Sequence, residues 1–216
     1  QSKDEFLKTF KILEKEKIKA WINCPNRTNK GYIKFKKTII KSAPLRMTVT
    51  GSNWGMASNL IHYLDLFCFF IDQTDIFIKT NRLDKRVYYS KRKDFIEIGG
   101  TVEFSSKNGD LLEISDEKSK NLNVEITLSN ENNYLKVFES ENYALVKNKI
   151  KLSKINFPIE YQSNLTNKFA HDIFKNKDCK LPSIRENAEL HYKIFLLISS
   201  HLDYYSDKDF KICPIT

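Results

Sequence analysis

The 216-residue chain is 41% hydrophobic and 12% aromatic, a composition that supports one substantial core and excludes a disordered protein. The 36 Lys and Arg residues outnumber the 27 Asp and Glu residues and give a formal charge of +9, but both signs run through the whole length. No basic tail marks a nucleic-acid-binding segment, and the longest apolar run, at 66–71, is far shorter than the roughly 20 residues that span a bilayer. We expect a single domain over residues 1–216, with no nucleic-acid and no membrane partner.

Apolar residues in the first fifty positions alternate between helical and strand spacing. Phe6, Phe10 and Leu13 recur at the period of an amphipathic helix, and Pro25 and Pro44 end the elements that precede them. The elements predicted here are a helix in the opening segment, a strand at 19–24, a helix at 30–41 and a strand at 45–50.

From residue 51 onward the pattern predicts a helix, a run of strands and two more helices. Gly51 and Gly55 bracket a loop, after which 56–71 has the length and apolar density of a buried helix. Short segments of period two fill 76–147 as an antiparallel meander, and Asn108-Gly109 is the clearest hairpin turn among them. The helices predicted last are 163–175 and 184–205, the second with Ser183 as its N-cap.

Helices at both ends of the chain with strands between them predict an α+β fold. We expect a largely antiparallel open sheet with helices packed on one face, which leaves the other face bare. Because monomers rarely expose that much apolar surface, a partner domain or a second copy of the chain should cover it. We therefore predict a homo-oligomer formed through the open sheet face.

The four cysteines, Cys24, Cys68, Cys179 and Cys213, are widely separated. They never form the C-x-x-C pairs that zinc ribbons and thioredoxin-like redox sites need. Free thiols in a reducing cytoplasm are the preferred interpretation, and disulfides or a metal site are the alternative.

The densest group of chemically active side chains lies where the long central helix begins. Asn59 and His62 are three residues apart and share a helix face, with Ser58 on nearly the same stripe. Together with Asn53 and Trp54 they indicate a sugar-binding site, because a Trp face beside polar groups suits a sugar ring, and His62 would carry the proton. The alternative is a hydrogen-bonded core histidine at His62 and a structural amide at Asn59.

Basic residues elsewhere offer further candidates for binding an anionic substrate. Arg27 follows the predicted strand at 19–24, where its guanidinium could bind a carboxylate or phosphate in bidentate fashion; a surface arginine is the alternative. Lys91 and Arg92 lie in a basic triplet at a hairpin end, which is usually solvated. The remaining histidines, His171, His191 and His201, lack metal-ligand spacing and are interpreted as structural.

Several segments together resemble the C-terminal domain of the glucose-fructose oxidoreductase, inositol dehydrogenase and MocA (Gfo/Idh/MocA) family, in a branch associated with surface-polysaccharide biosynthesis. The resemblance covers essentially the whole chain. The segments that carry it are WINCPNR at 21–27, GSNWGMASNLIHYLDLF at 51–67, SKRKDFIEIGGTVEF at 90–104, YQSNLT at 161–166 and CPIT at 213–216.

The resemblance implies a division of labour between two domains. Family members bind NAD or NADP with an N-terminal Rossmann domain, and a C-terminal α+β domain contributes the substrate site and commonly the oligomer interface. This chain has no G-x-G-x-x-G turn that follows a strand, and the family's lysine would fall upstream of Gln1. We therefore expect residues 1–216 to be the substrate-binding and oligomerisation domain alone, inactive without the Rossmann domain.

The resemblance also implies roles for individual residues. His62 matches the histidine that exchanges a proton with the substrate while hydride moves to or from the nicotinamide. Ser58 occupies the place of the family's usual aspartate, and Asp65 matches an acidic residue that either orients the histidine or forms a helix cap or salt bridge. The catalysis is metal-free, and no cofactor-binding residue is expected in this chain.

Two functions remain open at this point. The first is the substrate-binding half of an NAD(P)-dependent oxidoreductase that acts on a hydroxyl or carbonyl of a sugar or sugar nucleotide. The second is a non-catalytic binding or assembly module whose bare sheet face takes a protein or an anionic partner.

Overall fold

An eight-stranded sheet with helices against one face organises the chain, and this confirms the predicted α+β fold. A computed structural model describes residues 3–39, 43–148, 151–205 and 213–215. The helices are α1 (Lys3–Lys15), α2 (Lys30–Lys36), α3 (Met56–Ile71), α4 (Gln162–Asn176) and α5 (Ile184–Tyr205). The strands are β1 (Arg46–Gly51), β2 (Ile76–Leu83), β3 (Tyr88–Tyr89), β4 (Ile96–Glu97), β5 (Gly100–Ser106), β6 (Leu111–Asp116), β7 (Glu125–Ser129), β8 (Asn133–Phe138), β9 (Tyr143–Asn148) and β10 (Lys151–Asn156).

The predicted meander is interrupted at its centre by β1. The strand order is β10-β9-β8-β7-β1-β6-β5-β2, in which β1 pairs parallel with β6 and antiparallel with β7. Strand β1 therefore has a hydrogen-bonded neighbour on each edge. Its inward-facing side chains Met47 and Val49 are fully buried in the core. The meander prediction is therefore wrong at the step from β6 to β7, and also between β2 and β5, because β3 and β4 pair with each other in a separate two-stranded sheet.

Two local predictions are confirmed by the hydrogen bonds of the structure. The Asn108-Gly109 turn joins β5 to β6, with Gly109 at φ +86°, a conformation that glycine adopts at little cost. Ser183 and Glu186 form a reciprocal capping box at the start of α5, in which each residue's side chain accepts the other's backbone N–H.

The structure differs from the predicted elements at three places. No strand forms at 19–24: Trp21 makes a single bridge to Ser183, because no neighbouring strand lies alongside it. The helix predicted at 30–41 ends at Lys36, and residues 40 and 41 lie outside the described part. Strand β10 was not predicted, since its side chains are almost all exposed and give no apolar alternation.

The core lies between the sheet and the helices α3 and α5. α3 packs against α5 and β6, and α5 reaches α1 and β2. The fully buried side chains Leu60, Leu64 and Phe67 place the apolar side of α3 on the sheet. The described cysteines Cys24, Cys68, Cys179 and Cys213 are all free thiols, as predicted.

The outer face of the sheet is polar at its centre. The strand registers place Glu103, Glu113, Thr48, Thr127 and Lys136 in one row across β5, β6, β1, β7 and β8. Aromatic rings appear towards the β9 end, where Phe138 and Tyr143 stack with centroids 4.6 Å apart. The bare face is therefore mixed in character rather than broadly apolar.

Candidate functional site

The N-terminus of α3 is held by a carboxylate from another element. Gly55 precedes the helix in the left-handed conformation, at φ +76°, and has no side chain to cap it. Glu97 of β4 takes this role: one of its oxygens accepts the Ala57 N–H at 3.0 Å and the other accepts the Ser58 hydroxyl at 2.8 Å. The negative charge complements the positive end of the helix dipole.

The loop before α3 fixes Trp54 from two sides. Its indole N–H donates to the Ser115 carbonyl at 3.0 Å, and its ring meets Tyr63 edge to face at 5.4 Å. Asn59 donates through its side-chain amide to the carbonyls of Trp54 and Gly55, at 3.1 and 2.9 Å. The side-chain amide of Asn59 therefore holds the loop in place. This is the structural role that the sequence left open as the alternative for Asn59.

Asn53 lies at the tip of the same loop with an exposed side chain. Its backbone adopts φ +53°, and its N–H donates to the buried Asp116 carboxylate at 2.6 Å. Lys118 pairs with the other oxygen of Asp116, also at 2.6 Å. The loop is thus anchored through its backbone, and the Asn53 side chain has no role in holding it.

His62 lies one turn further along α3, on the side that faces α5. Its Nδ1 is buried and has no hydrogen-bond partner among the described residues. Burial lowers the pKa of His62 from its usual value, and the nearby His191 lowers it further. The lowered pKa favours the neutral imidazole at pH 7, and within the described residues its Nδ1 is not committed to another protein group.

Arg27 and Asp65 form a buried ion pair at the next turn. The Arg27 Nε donates to one oxygen of Asp65 at 2.8 Å and a terminal nitrogen donates to the other at 2.7 Å. Asn187 of α5 adds a third donor at 2.9 Å, and the Asp65 side chain has no exposed surface. Of the predicted roles for Asp65, the structure shows the salt bridge. The guanidinium group of Arg27 makes its bidentate contact with this carboxylate inside the protein.

Lys91 and Arg92 lie apart from this cluster. Both are exposed on the turn between β3 and β4, where the Arg92 N–H donates to the Ser90 hydroxyl at 3.3 Å. The same hairpin delivers Glu97 to α3, and its second strand is held by a bond from the Ile96 N–H to the Pro214 carbonyl at 2.9 Å. The contact of Lys91 and Arg92 with substrate, which the sequence led us to expect, remains a prediction.

Sequence reasoning missed two residues beside the α3 stripe, Glu97 and Asn187, and it interpreted a third, His191, as structural. A single carboxylate in the apolar run FIEIGG was the available signal for Glu97. Asn187 and His191 are four residues apart and share a face of α5, so their spacing could have flagged them together.

A partly buried acidic group, Glu139, lies on the other side of α3. The Tyr63 hydroxyl donates to Glu139 at 3.3 Å, and burial raises the pKa of the Glu139 carboxyl. Burial likewise raises the pKa of Tyr32, whose hydroxyl is close to the same carboxyl. Glu139 therefore holds the hydroxyl of Tyr63, whose ring meets Trp54 edge to face.

Removing the Glu97 carboxylate should destabilise the start of α3. For Glu97→Ala we expect the free energy of unfolding to fall by about 1–2 kcal/mol, because two donors at the helix terminus lose their acceptor. Urea denaturation measures the change. Glu117→Ala, which removes an exposed carboxylate paired with Lys120, is the matched control and should cost less than about 0.5 kcal/mol; equal losses would contradict the capping role.

Acidification should act on stability through His62. Because the folded state holds the pKa of His62 below its usual 6.5, the unfolded chain binds the proton first as the pH falls. As the pH falls from 7.5 to 5.5, the native chain should therefore lose more free energy of unfolding than His62→Gln does. Urea titrations at each pH measure it, and a constant difference would contradict the burial of a neutral imidazole.

Neither a membrane-spanning helix nor a cluster of metal ligands occurs in residues 3–39, 43–148, 151–205 and 213–215. No helix in these ranges is both long and apolar enough to cross a membrane. Within the same ranges, no three His, Cys, Asp or Glu side chains come together as a set of metal ligands.

Comparison with known proteins defines the fold. No protein-family model and no curated protein matches the chain. Among solved structures, the UDP-N-acetylglucosamine 3-dehydrogenase GnnA of Acidithiobacillus ferrooxidans matches 94% of this chain and 66% of its own, with 11% identity and a TM-score of 0.62. The dehydrogenase MviM of Clostridium difficile matches over 82% and 59%, with 13% identity and a TM-score of 0.53.

A third structure extends the comparison to a complex with a cofactor. The 3-ketoreductase KijD10 of Actinomadura kijaniata, solved with NADP, matches 90% of this chain and 63% of its own, with 11% identity and a TM-score of 0.56. The chain thus spans about six tenths to two thirds of the length of these proteins. Over that part it shares the α+β fold of these three proteins, the fold class that the sequence resemblance implied.

Proposed function

We propose that this chain is the substrate-binding part of an NAD(P)-dependent oxidoreductase that acts on a hydroxyl or carbonyl of a sugar or sugar nucleotide. The observation that carries the proposal is the uncommitted, neutral His62 on a helix whose start and loop are rigidly held beside Trp54. The named activities of GnnA and KijD10 support it, since both proteins share the fold.

His62 handles the proton of the reaction. In the oxidising direction its neutral ring accepts the proton of the substrate hydroxyl, and in the reducing direction its protonated ring donates to the forming hydroxyl. The low pKa of His62 favours the accepting form at pH 7. The buried Arg27–Asp65 pair positions the next turn of the helix and does not itself touch the substrate.

A bound nicotinamide would supply or accept the hydride. The residues present fit the proton-transfer half of this chemistry and not the binding of a dinucleotide. The N-terminus of α3, which follows a strand and a glycine-bounded loop, would be the place for a pyrophosphate, but the Glu97 carboxylate already accepts the Ala57 N–H and the Ser58 hydroxyl there. NAD or NADP would therefore be bound by a Rossmann domain outside these 216 residues.

Two ligand titrations test this division of labour. In a Trp21→Phe background, which leaves Trp54 as the one tryptophan of the sequence, UDP-N-acetylglucosamine should change the tryptophan fluorescence saturably. NADPH added to the same chain should give no saturable heat in calorimetry. Tight NADPH binding, or the absence of a saturable fluorescence change with UDP-N-acetylglucosamine, would contradict the proposal.

The setting we propose is polysaccharide biosynthesis in the cytoplasm. The four free thiols suit a reducing compartment, and the named activity of GnnA on a UDP-sugar fits the supply of modified sugars for polymers.

We further propose that the outer sheet face joins two copies of the chain. The polar row through Thr127 can exchange hydrogen bonds with its copy, and the Phe138–Tyr143 stack adds apolar area. Light scattering should give the mass of two or more chains, and Thr127→Arg should reduce it to that of one. Thr166→Arg, at an exposed position of α4, is the control that should leave the mass unchanged; an unchanged mass for Thr127→Arg would exclude this face.

A further inference from the structure

A cavity of about 410 Å³ lies at the end of the sheet away from α5, between α2 and the strands β8, β9 and β10. It exists because the helix layer is narrower than the sheet: α3 packs on β6 and α5 reaches β2 at the opposite edge. The short α2 stands over the β8–β10 end, with Gly31 so close to Phe157 that a Cβ would overlap its ring. The cavity falls within the size range of small-molecule sites.

The interior of this cavity is apolar. Leu135 and Phe157 are each 1% exposed and form part of the inner wall, together with Phe35 and Val146. Ile155 lies on the same side of β10, in register with the buried Ala144, yet it is 39% exposed. An apolar side chain on the core side of the sheet therefore faces open space rather than protein.

The mouth of the cavity carries an excess of positive charge. Lys30 and Lys34 are one turn apart on the same face of α2, and both line the opening. Within the described ranges neither amine forms a salt bridge, and both side chains are exposed. Glu160 lies on the rim as well, so the mouth has two amines against one carboxylate.

We propose that this cavity binds a small amphipathic carboxylate, with its apolar chain against Leu135, Val146 and Ile155 and its carboxylate on Lys30 and Lys34. The apolar interior selects against a free sugar, and the paired amines select an anion over a neutral or cationic head group. None of the lining residues belongs to the α3 cluster around His62, so the site is independent of the function proposed above.

Calorimetric titration of the full chain with dodecanoate tests the proposal. We expect saturable binding at one site, and about tenfold weaker binding for dodecanol and for Lys30→Ala/Lys34→Ala, since each loses the charge-assisted contacts. Lys168→Ala/Lys175→Ala, which removes two exposed amines from α4, is the charge-matched control and should bind within about twofold of the native chain.

Two variants that fill the cavity separate specific binding from adsorption. Val146→Trp and Ile155→Trp should each abolish binding, and circular dichroism identifies any variant that fails to fold. Ile155 is on an exposed edge strand, so its variant keeps the test decisive if Val146→Trp unfolds. The absence of saturable binding, equal affinity for dodecanol or dodecylammonium, or retained affinity in a folded tryptophan variant would overturn the proposal.

Discussion

Replacing Arg27 with methionine should lower the free energy of unfolding by about 3–5 kcal/mol. The substitution keeps much of the side-chain volume but leaves the Asp65 carboxylate buried, with the Asn187 amide as its one hydrogen-bond partner among the described residues. Burial already raises the pKa of Asp65 even with Arg27 beside it. Loss of Arg27 therefore increases the free-energy cost of keeping the Asp65 carboxylate charged in the folded state. Urea denaturation at pH 7 measures the effect.

A second substitution and an exposed pair serve as controls for this prediction. Adding Asp65→Asn to Arg27→Met should recover more than half of the loss, because the buried charge is gone and the Asn187 bond can persist. Arg185→Met breaks the exposed pair with Glu14 and should cost less than about 1 kcal/mol. A small loss in Arg27→Met, similar to that in Arg185→Met, would contradict a structural role for the pair.

Replacing His62 with glutamine should lower turnover at least about 10²-fold in the two-domain oxidoreductase that we propose. Glutamine has a similar size and can hydrogen bond, but it does not exchange a proton near pH 7. The loss should fall on kcat more than on KM, since the substrate keeps its other contacts. Steady-state assays that follow nicotinamide absorbance measure both constants.

The pH profile separates proton transfer from mere support by His62. In the native protein the acid limb of kcat/KM for oxidation should lie below pH 6.5, because burial and His191 lower the pKa of His62. His62→Gln should remove this limb, whereas His171→Gln on the exposed face of α4 should retain both the limb and the turnover. A limb that survives His62→Gln would assign the titration to another group.

The predictable parts of the fold are those whose local pattern agrees with their surroundings. α3 and α5 were predicted to within a residue because long periodic runs and a capping box mark them. The place of β1 between β6 and β7 could not be predicted, since it depends on pairing between segments distant in the chain. The apolar stretch at 19–24 has strand character but no neighbour with which to form a ladder.

The site shows the same division between local and tertiary information. The stripe of Ser58, Asn59 and His62 follows from helical spacing alone. Sequence reasoning also singled out Arg27 and Asp65, but as separate groups, because a contact across 38 positions is set by how the turn at 25–28 packs on α3. Glu97 of β4 places a carboxylate beside Ser58 of α3, a contact across 39 positions that the local pattern around Ser58 does not show.

Transfer of deuterium from a nicotinamide to a sugar tests the central claim most directly. The two-domain protein that we propose would be incubated with NADPH deuterated at both C4 positions and a 3-keto derivative of UDP-N-acetylglucosamine, and the product analysed by mass spectrometry. We predict one deuterium on the sugar carbon, formed at least about 10²-fold more slowly by His62→Gln. The absence of transfer in the native protein, or equal rates for the two proteins, would contradict the account.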